Sequence, residues 1–104
     1  MARSSAEERL AALDEVVRAL AHPARRQILM TIHLRGGDVA AGDIAARFEH
    51  SWPTTTRHLQ VLESAGLLRV ETQGRIRSYS ADLARLGVLR DWLRWFEDGS
   101  KETR

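Results

Sequence analysis

The chain has 104 residues, of which 43% are hydrophobic and 29% are charged, and it contains no cysteine. This length suits one domain with a modest core, and the composition is that of a globular protein rather than a disordered one. The absence of cysteine excludes disulfides, thiolate metal sites and thiol redox switches. Apolar runs are too short to cross a bilayer and residues 1–9 lack the apolar core of a signal peptide, so we expect a cytoplasmic protein without membrane contact.

The net charge of +2 is concentrated in one part of the sequence. Basic and acidic residues balance over residues 1–50 and again over residues 81–104, whereas residues 51–80 carry four arginines against two glutamates. A local basic surplus is typical of a surface that contacts nucleic acid, and its small size makes it supporting information only.

The first predicted helix runs from about Ser5 to Ala21. Ser5 and Glu8 have the spacing of a capping box, in which each side chain bonds to the backbone N–H of the other residue. Apolar residues recur every three or four positions, so they form one stripe along this helix. These residues are Leu10, Leu13, Val17 and Leu20.

His22-Pro23 interrupts this pattern, because proline can begin a helix but not continue one. A second helix is therefore expected from about Ala24 to Leu34. Gly36-Gly37-Asp38 predicts a turn, and Val39 could belong to a very short strand. A third helix is expected from about Gly42 to Phe48.

A fourth helix is predicted over Ser51–Ala65, with Ser51 as its N-cap and Pro53 in its first turn. Its inward stripe is predicted to comprise Trp52, Thr55, Leu59 and Leu62. The other face carries polar side chains able to donate to phosphates and base edges, although an ordinary solvated helix face has the same composition. The candidate DNA-contacting residues are Ser51, Thr54, Thr56, Arg57, His58 and Gln60. Together with the third helix, this spacing is typical of a helix-turn-helix.

Two antiparallel strands are predicted next, over residues 67–72 and 75–80, joined at Gln73-Gly74. The tip carries Arg75 and Arg77, with only Glu71 as an acidic neighbour. These arginines could simply keep an exposed hairpin soluble. Because the hairpin directly follows a helix-turn-helix, we favour a wing whose arginines reach phosphates or the minor groove.

The last predicted helix runs from about Asp82 to Asp98, followed by a frayed tail. It has two apolar stripes, whereas a surface helix needs only one. The first stripe, expected in the core, comprises Leu86, Leu89, Leu93 and Phe96. The second could extend the core or form a subunit interface, and we favour a homodimer in which both terminal helices take part. The predicted interface residues are Leu10, Leu13, Val17, Val88, Trp92 and Trp95.

Four segments together resemble the ArsR-type winged helix-turn-helix transcriptional regulators. They are A-L-A-H-P-A-R-R-Q-I-L at 19–29, G-D-I-A-A-R-F at 42–48, T-R-H-L-Q-V-L-E-S-A-G-L-L at 56–68, and G-R at 74–75 followed by Tyr79. The resemblance implies a mainly α fold with a small β-hairpin, in the order α-α-α-α-β-β-α. It also implies a homodimeric repressor of a pseudo-palindromic double-stranded DNA operator, in which the fourth helix and Arg75 match the DNA-reading helix and the wing.

The chain departs from the metal-sensing members of that family. It has no cysteine for a thiolate site, and its last helix has acidic residues but no histidine. His22, His33, His50 and His58 are expected to act as a cap, a helix end, a turn residue and a DNA-face residue. The resemblance is therefore to the metal-independent members, without a cofactor, whose effector is an organic ligand, a protein or nothing.

An enzyme and a protein-binding winged helix are the two other classes of function to compare with a DNA-binding regulator. An enzyme is not expected, because the sequence has no Gly-rich phosphate loop, nucleophile elbow or clustered carboxylates. A winged helix that binds only protein is the alternative, since the same fold can serve either partner. The hydroxyl-rich face of the fourth helix favours DNA, because a protein-binding surface would be expected to expose an apolar patch.

Overall fold

The computed structural model describes the backbone of residues 4–102 and the side chains of residues 4–97. Its elements are α1 (Ser5–Leu20), α2 (Pro23–Leu34), β1 (Val39–Ala40), α3 (Ala41–Phe48), α4 (Trp52–Ser64), β2 (Leu68–Gln73), β3 (Ile76–Ala81) and α5 (Leu83–Glu102). This order confirms the predicted mainly α winged helix-turn-helix fold. No helix in the part of the chain described here is long and apolar enough to span a membrane.

The first two helices begin with side-chain caps. The capping box of α1 pairs Ser4 with Glu7, where the Ser4 hydroxyl accepts from the Glu7 N–H at 3.1 Å. The prediction placed this box one residue later, at Ser5 and Glu8, because consecutive serines and consecutive glutamates satisfy the same spacing in either register. The second helix begins at Pro23, and the Nδ1 atom of His22 accepts from the Ala24 N–H at 3.2 Å. This geometry confirms the prediction that His22 is a cap.

The wing is part of a three-stranded antiparallel sheet with the order β1-β3-β2. Tyr79 in the central strand pairs with Val39 on one side and Val70 on the other. The turn occupies Gly74 and Arg75, one residue later than predicted, and Gly74 has a φ of +62°. A two-residue hairpin turn of this kind requires a positive φ at its first position, which glycine adopts without strain.

The hydrophobic core lies between α2, the inner face of α4 and the start of the wing. Its fully buried large side chains are Val16, Ile28, Ile32, Ile44, Leu59, Leu62 and Leu67. Leu29, Val39, Leu68 and Tyr79 complete it, and α1 contributes Val16 and Ala19. The two helices of the helix-turn-helix and the wing therefore share one core, so their relative positions are set by packing.

The last helix departs from its prediction in two ways. Leu86 and Leu89 pack against the core as expected, but Leu93 and Phe96 are 48% and 59% exposed. The prediction of one continuous core stripe is wrong because the second half of α5 extends beyond the core of its own chain. The helix also continues to Glu102, where a frayed tail was predicted from Gly99, and the last two residues of that tail lie outside the described residues.

Replacing Leu62 with alanine is expected to lower the free energy of unfolding by about 2–5 kcal/mol, because it leaves a cavity beneath α4. Urea denaturation followed by circular dichroism at a fixed protein concentration measures this change. Leu34→Ala is the matched control, since Leu34 is 75% exposed and its loss should change stability by less than about 1 kcal/mol. Equal effects of the two substitutions would contradict the described core.

Candidate nucleic-acid interface

The turn between α3 and α4 ends in a side-chain cap. Glu49 closes α3 in a left-handed conformation with a φ of +55°. The Ser51 hydroxyl then accepts from the Thr54 N–H at 3.3 Å and donates to the Thr54 hydroxyl at 2.9 Å. These bonds fix the start of α4, and they place the two hydroxyls at the exposed N-terminal end of the helix.

The outer face of α4 carries most of the predicted DNA-contacting side chains. Thr54, Arg57 and Gln60 are exposed, and their three-residue spacing places them on one face of the helix. Thr56 is half-buried beside them. The guanidinium, amide and hydroxyl groups of this surface can donate hydrogen bonds to phosphate oxygens and to base edges in a major groove. We call Thr54, Arg57 and Gln60 the outer face.

The predicted place of His58 on this outer face is wrong. Its side chain is only 7% exposed and lies on the inner side of α4, with Thr55, Leu59 and Leu62. Positions 55, 58, 59 and 62 follow the i, i+3, i+4, i+7 pattern of a buried helix face. That spacing was visible in the sequence, but a histidine between apolar positions was assigned to solvent because of its polarity.

The predicted burial of Trp52 is also wrong. This side chain was predicted to lie in the inward stripe, yet it is 58% exposed at the first residue of α4. The first turn of the helix projects beyond the core, so the periodic pattern does not bury its first member. Trp52 consequently presents a large apolar side chain beside the capped end of the outer face.

Three histidines that are distant in sequence form a contact cluster beneath α4. The ring centroids of His22 and His58 are 4.7 Å apart, and those of His50 and His58 are 5.7 Å apart. We call these residues the histidine cluster. They were predicted to have separate roles, and only the packing of the helix-turn-helix against the end of α1 brings them together. Among the described residues, no group of three or more His, Cys, Asp or Glu side chains is arranged to hold a metal ion.

Arg25 links this cluster to the end of α1. Its Nε atom donates to the Ala19 carbonyl at 2.6 Å and its Nη2 atom donates to the Arg18 carbonyl at 3.2 Å. Its Nη1 atom lies 3.5 Å from Nδ1 of His58. Arg26 donates in the same way to the Leu20 carbonyl at 2.7 Å. These bonds add donors to the carbonyls of the last turn of α1, where the Arg18 carbonyl also accepts from the Ala21 N–H, and place positive charge at the negative end of the helix dipole.

The burial of His58 lowers its pKa, because a charged imidazole loses hydration when it leaves water. The positive charges of the neighbouring residues act in the same direction. These neighbours are His22, Arg25, His50 and Arg57, in decreasing order of effect. The fold therefore favours the neutral form of this imidazole.

The two arginines predicted at the tip of the wing have different surroundings. Arg75 occupies the exposed turn. The Arg77 guanidinium instead donates to the Glu63 carboxylate at 3.3 Å and lies 5.9 Å from the centre of the Tyr79 ring. The predicted acidic neighbour of the tip was Glu71, and this prediction missed Glu63, which is distant in sequence. Arg75 is therefore the more available cation of the wing.

Five of the six predicted interface residues line a shallow apolar groove between α1 and α5. These residues are Leu10, Leu13, Val88, Trp92 and Trp95. The sixth, Val17, lies elsewhere on α1 and is 47% exposed. The groove continues into the exposed second half of α5, where the rings of Trp92 and Phe96 meet edge to face with centroids 5.0 Å apart. Large aromatic side chains in such number are unusual on a solvated helix.

A helix-turn-helix with a wing, a polar outer face and an exposed arginine at the wing tip defines a DNA-binding transcriptional regulator. Residues 20–71, half of the chain, match the family described as a helix-turn-helix domain. The chain belongs to the ArsR-type winged helix-turn-helix transcriptional regulators, as its resemblance in sequence predicted.

Individual relatives agree with this assignment. The transcriptional repressor SdpR of Bacillus subtilis (strain 168) is 36% identical over 83 residues, which cover 80% of this chain and 87% of that protein. The crystal structure of an ArsR family transcriptional regulator matches with a TM-score of 0.80 and 27% identity, over 100% of this chain and 99% of the other. The solution structure of a homodimeric winged helix-turn-helix DNA-binding domain from Mycobacterium bovis matches with a TM-score of 0.70 and 30% identity, over 90% of each chain.

Arg75→Ala is expected to weaken binding to duplex DNA more than Arg77→Ala, because Glu63 and Tyr79 already engage the Arg77 guanidinium. Removing a phosphate contact should lower the slope of log K against log salt by about 0.9 for Arg75 and by much less for Arg77. Fluorescence anisotropy at several salt concentrations measures both. The substitutions remove the same charge, so equal losses would mean that Arg77 leaves Glu63 when DNA binds.

Proposed function

We propose that the protein is a homodimeric transcriptional repressor that binds a pseudo-palindromic operator in double-stranded DNA. One observation carries this proposal: the helix that closes the helix-turn-helix buries one side in the core and turns Thr54, Arg57 and Gln60 outward. Such a helix is held rigidly while its polar groups remain accessible to a DNA groove. The family assignment and the name of the Bacillus subtilis relative support regulation and repression.

In this proposal, α4 enters the major groove of a half-site. Arg57 and Gln60 are long enough to reach base edges, where arginine pairs with guanine and glutamine with adenine. Ser51, Thr54 and Thr56 would contact phosphates near the N-terminus of α4, whose dipole favours anions. Arg75 would reach the backbone or minor groove at the flank, with Arg77 in a smaller role. His58 is left out of the DNA-contacting set because it is buried.

The homodimer would form through α1 and α5. The groove between these helices and the exposed second half of α5 present Leu10, Trp92, Trp95 and Phe96 to solvent in a single chain. Burying such aromatic and aliphatic side chains is favourable by roughly 1.5–3 kcal/mol each. The homodimeric domain from Mycobacterium bovis supports this assembly.

No thiolate ligand is available in a chain without cysteine, so we propose regulation without a thiolate metal sensor. The effector is left open among an organic ligand, a protein and none. We place the protein in the cytoplasm because its proposed target is DNA. The named functions of its relatives support a regulatory rather than an enzymatic role.

Selection of bound sequences from a random duplex library tests the proposal, using metal-stripped protein without added ligand. We expect a two-fold symmetric site whose half-sites are about one helical turn apart. Such a site would also mean that any signal acts by releasing the protein from DNA. Failure to enrich any sequence, together with salt-insensitive duplex binding, would favour the alternative of a winged helix that binds only protein.

Arg57→Ala is expected to weaken binding to the selected operator by about 1–3 kcal/mol if Arg57 reads a base, and to relax the preference at one position. If Arg57 holds a phosphate, binding to all sequences should weaken alike and the salt slope should fall by about 0.9. Competition titrations with operator and scrambled duplexes separate these outcomes. Unchanged affinity for both duplexes would remove Arg57 from the interface.

Replacing Trp92 and Trp95 together with alanine is expected to dissociate the dimer at micromolar concentration, because it removes the largest apolar side chains of the groove. Sedimentation velocity measures the oligomeric state. Trp52→Ala is the matched control, since Trp52 is also exposed but lies on α4. A double variant that remains dimeric would show that the interface lies elsewhere.

A further inference from the structure

We propose that His58 is a positioning residue, which holds the DNA-reading helix in place through contacts of its neutral imidazole with His22, His50 and Arg25. Protonation of His58 would then release the helix and weaken operator binding. The inference rests on the proposed DNA-binding function of α4. It assigns a role to the histidine cluster, which lies beneath the outer face and outside the DNA-contacting set.

The contacts of His58 and His22 both require an unprotonated Nδ1 atom. The Nη1 atom of Arg25 lies 3.5 Å from Nδ1 of His58, and a guanidinium can only donate hydrogen bonds. Nδ1 of His22 accepts from the Ala24 N–H at 3.2 Å as the cap of α2. A proton on either atom replaces an acceptor with a donor that faces another donor. Both contacts therefore depend on an Nδ1 atom that acts as an acceptor.

His50 completes the cluster from the turn before α4. Its ring stacks on Phe48 with centroids 5.9 Å apart, and it contacts His58 on the other side. Its Nδ1 atom is buried and has no hydrogen-bond partner among the described residues. His50 therefore packs against His58 through its ring and offers it no hydrogen bond or negative charge.

Arg25 makes the cluster a connection between two helices rather than an isolated contact. The same guanidinium that faces His58 donates to the carbonyls of Arg18 and Ala19 at the end of α1. Because those bonds fix its position, Arg25 cannot simply move away from a charged imidazole. A change of charge at His58 would instead act on α4, where His58 directly follows Arg57 of the outer face.

The groups that set the charge of His58 all have the same sign. They are His22 and Arg25 from α2 and its cap, His50 from the preceding turn, and Arg57 from α4. No acidic group in the described part of α1, α3 or β2 contributes to its pKa. A proton taken up by His58 would thus meet the permanent positive charges of Arg25 and Arg57 at a side chain that is only 7% exposed, where charges interact more strongly than in solution.

The direction of the pH effect follows from this environment. Burial, and then the positive neighbours, lower the pKa of His58 below the 6.5 of an ordinary histidine. The unfolded or released helix, with an ordinary pKa, takes up a proton more readily than the packed helix does. The stabilising effect of the cluster is complete above pH 6.5 and is lost as the pH falls from there towards the lowered pKa. Acidification is therefore expected to favour the released helix.

This direction separates a positioning role from direct contact with DNA. An exposed histidine beside a phosphate gains a favourable charge pair on protonation, so acidification would strengthen binding. The buried histidine cluster predicts the opposite result. The sign of the pH dependence therefore decides between the two roles.

The experiment measures the affinity of the dimer for its selected operator between about pH 8 and about pH 5 at constant ionic strength. We expect little change above pH 6.5 and a severalfold weakening below it, with an upper limit of about tenfold per pH unit for one proton. The titration of each imidazole is followed by NMR in the protein without DNA. The pKa of His58 should lie below the 6.5 of an ordinary histidine.

Two variants and one control complete the design. His58→Gln and His22→Asn each remove a titrating ring, and asparagine retains the ability to cap α2. Each is expected to flatten the pH dependence of operator binding, and the second keeps the test valid if the first does not fold. His33→Gln removes an exposed histidine from α2 and should retain the full pH dependence.

The outcomes distinguish this inference from the proposed function. Absence of operator binding at about pH 8 would overturn the DNA-binding function itself. Binding at that pH with an affinity that is constant or increases on acidification would overturn the positioning role alone. A pH dependence that persists unchanged in folded His58→Gln and His22→Asn would also overturn it.

Discussion

The burial of one side of α4 is the constraint on which the rest of the structure depends. Leu59 and Leu62 are fully buried against the core, so the helix cannot rotate without exposing them to water. That fixed rotation turns Arg57 outward and His58 inward, although they are adjacent in sequence. The outer face is therefore a consequence of core packing, and its geometry is only as rigid as the contacts beneath it. The histidine cluster is the polar part of those contacts.

The terminal helices leave apolar side chains exposed to solvent in the single chain. A chain of 104 residues has a small core, and the second half of α5 extends past it. Trp95 is 75% exposed and Phe96 is 59% exposed in the single chain, which leaves apolar surface that association would bury. Arg25 bonds to the C-terminal end of α1, one of these two helices. Through α1 and Arg25, the proposed dimer contact is physically connected to the helix that reads DNA.

Local sequence signals determined most of the elements. Three local signals each impose a backbone geometry whatever surrounds them. They are the helix end at His22-Pro23, the helix cap at Ser51 and the turn at Gly74. Amphipathic spacing similarly identified the inner face at Leu59 and Leu62. The errors of one residue, in the α1 capping box and the wing turn, arose where two registers satisfy the same local rule. The motifs of the helix-turn-helix and wing then identified the family.

The tertiary structure decided which side chains meet and which remain exposed. His22, His50 and His58 form a cluster, and Glu63 pairs with Arg77, because packing joins elements that are distant in sequence. Periodicity also could not show where the core ends, so Trp52 and Phe96 were predicted inward and are exposed. The sequence by itself determined the fold, the family and the helix that presents the candidate site. The environment of each charge depended on the three-dimensional arrangement, because burial and electrostatic interaction depend on distance in space rather than along the chain.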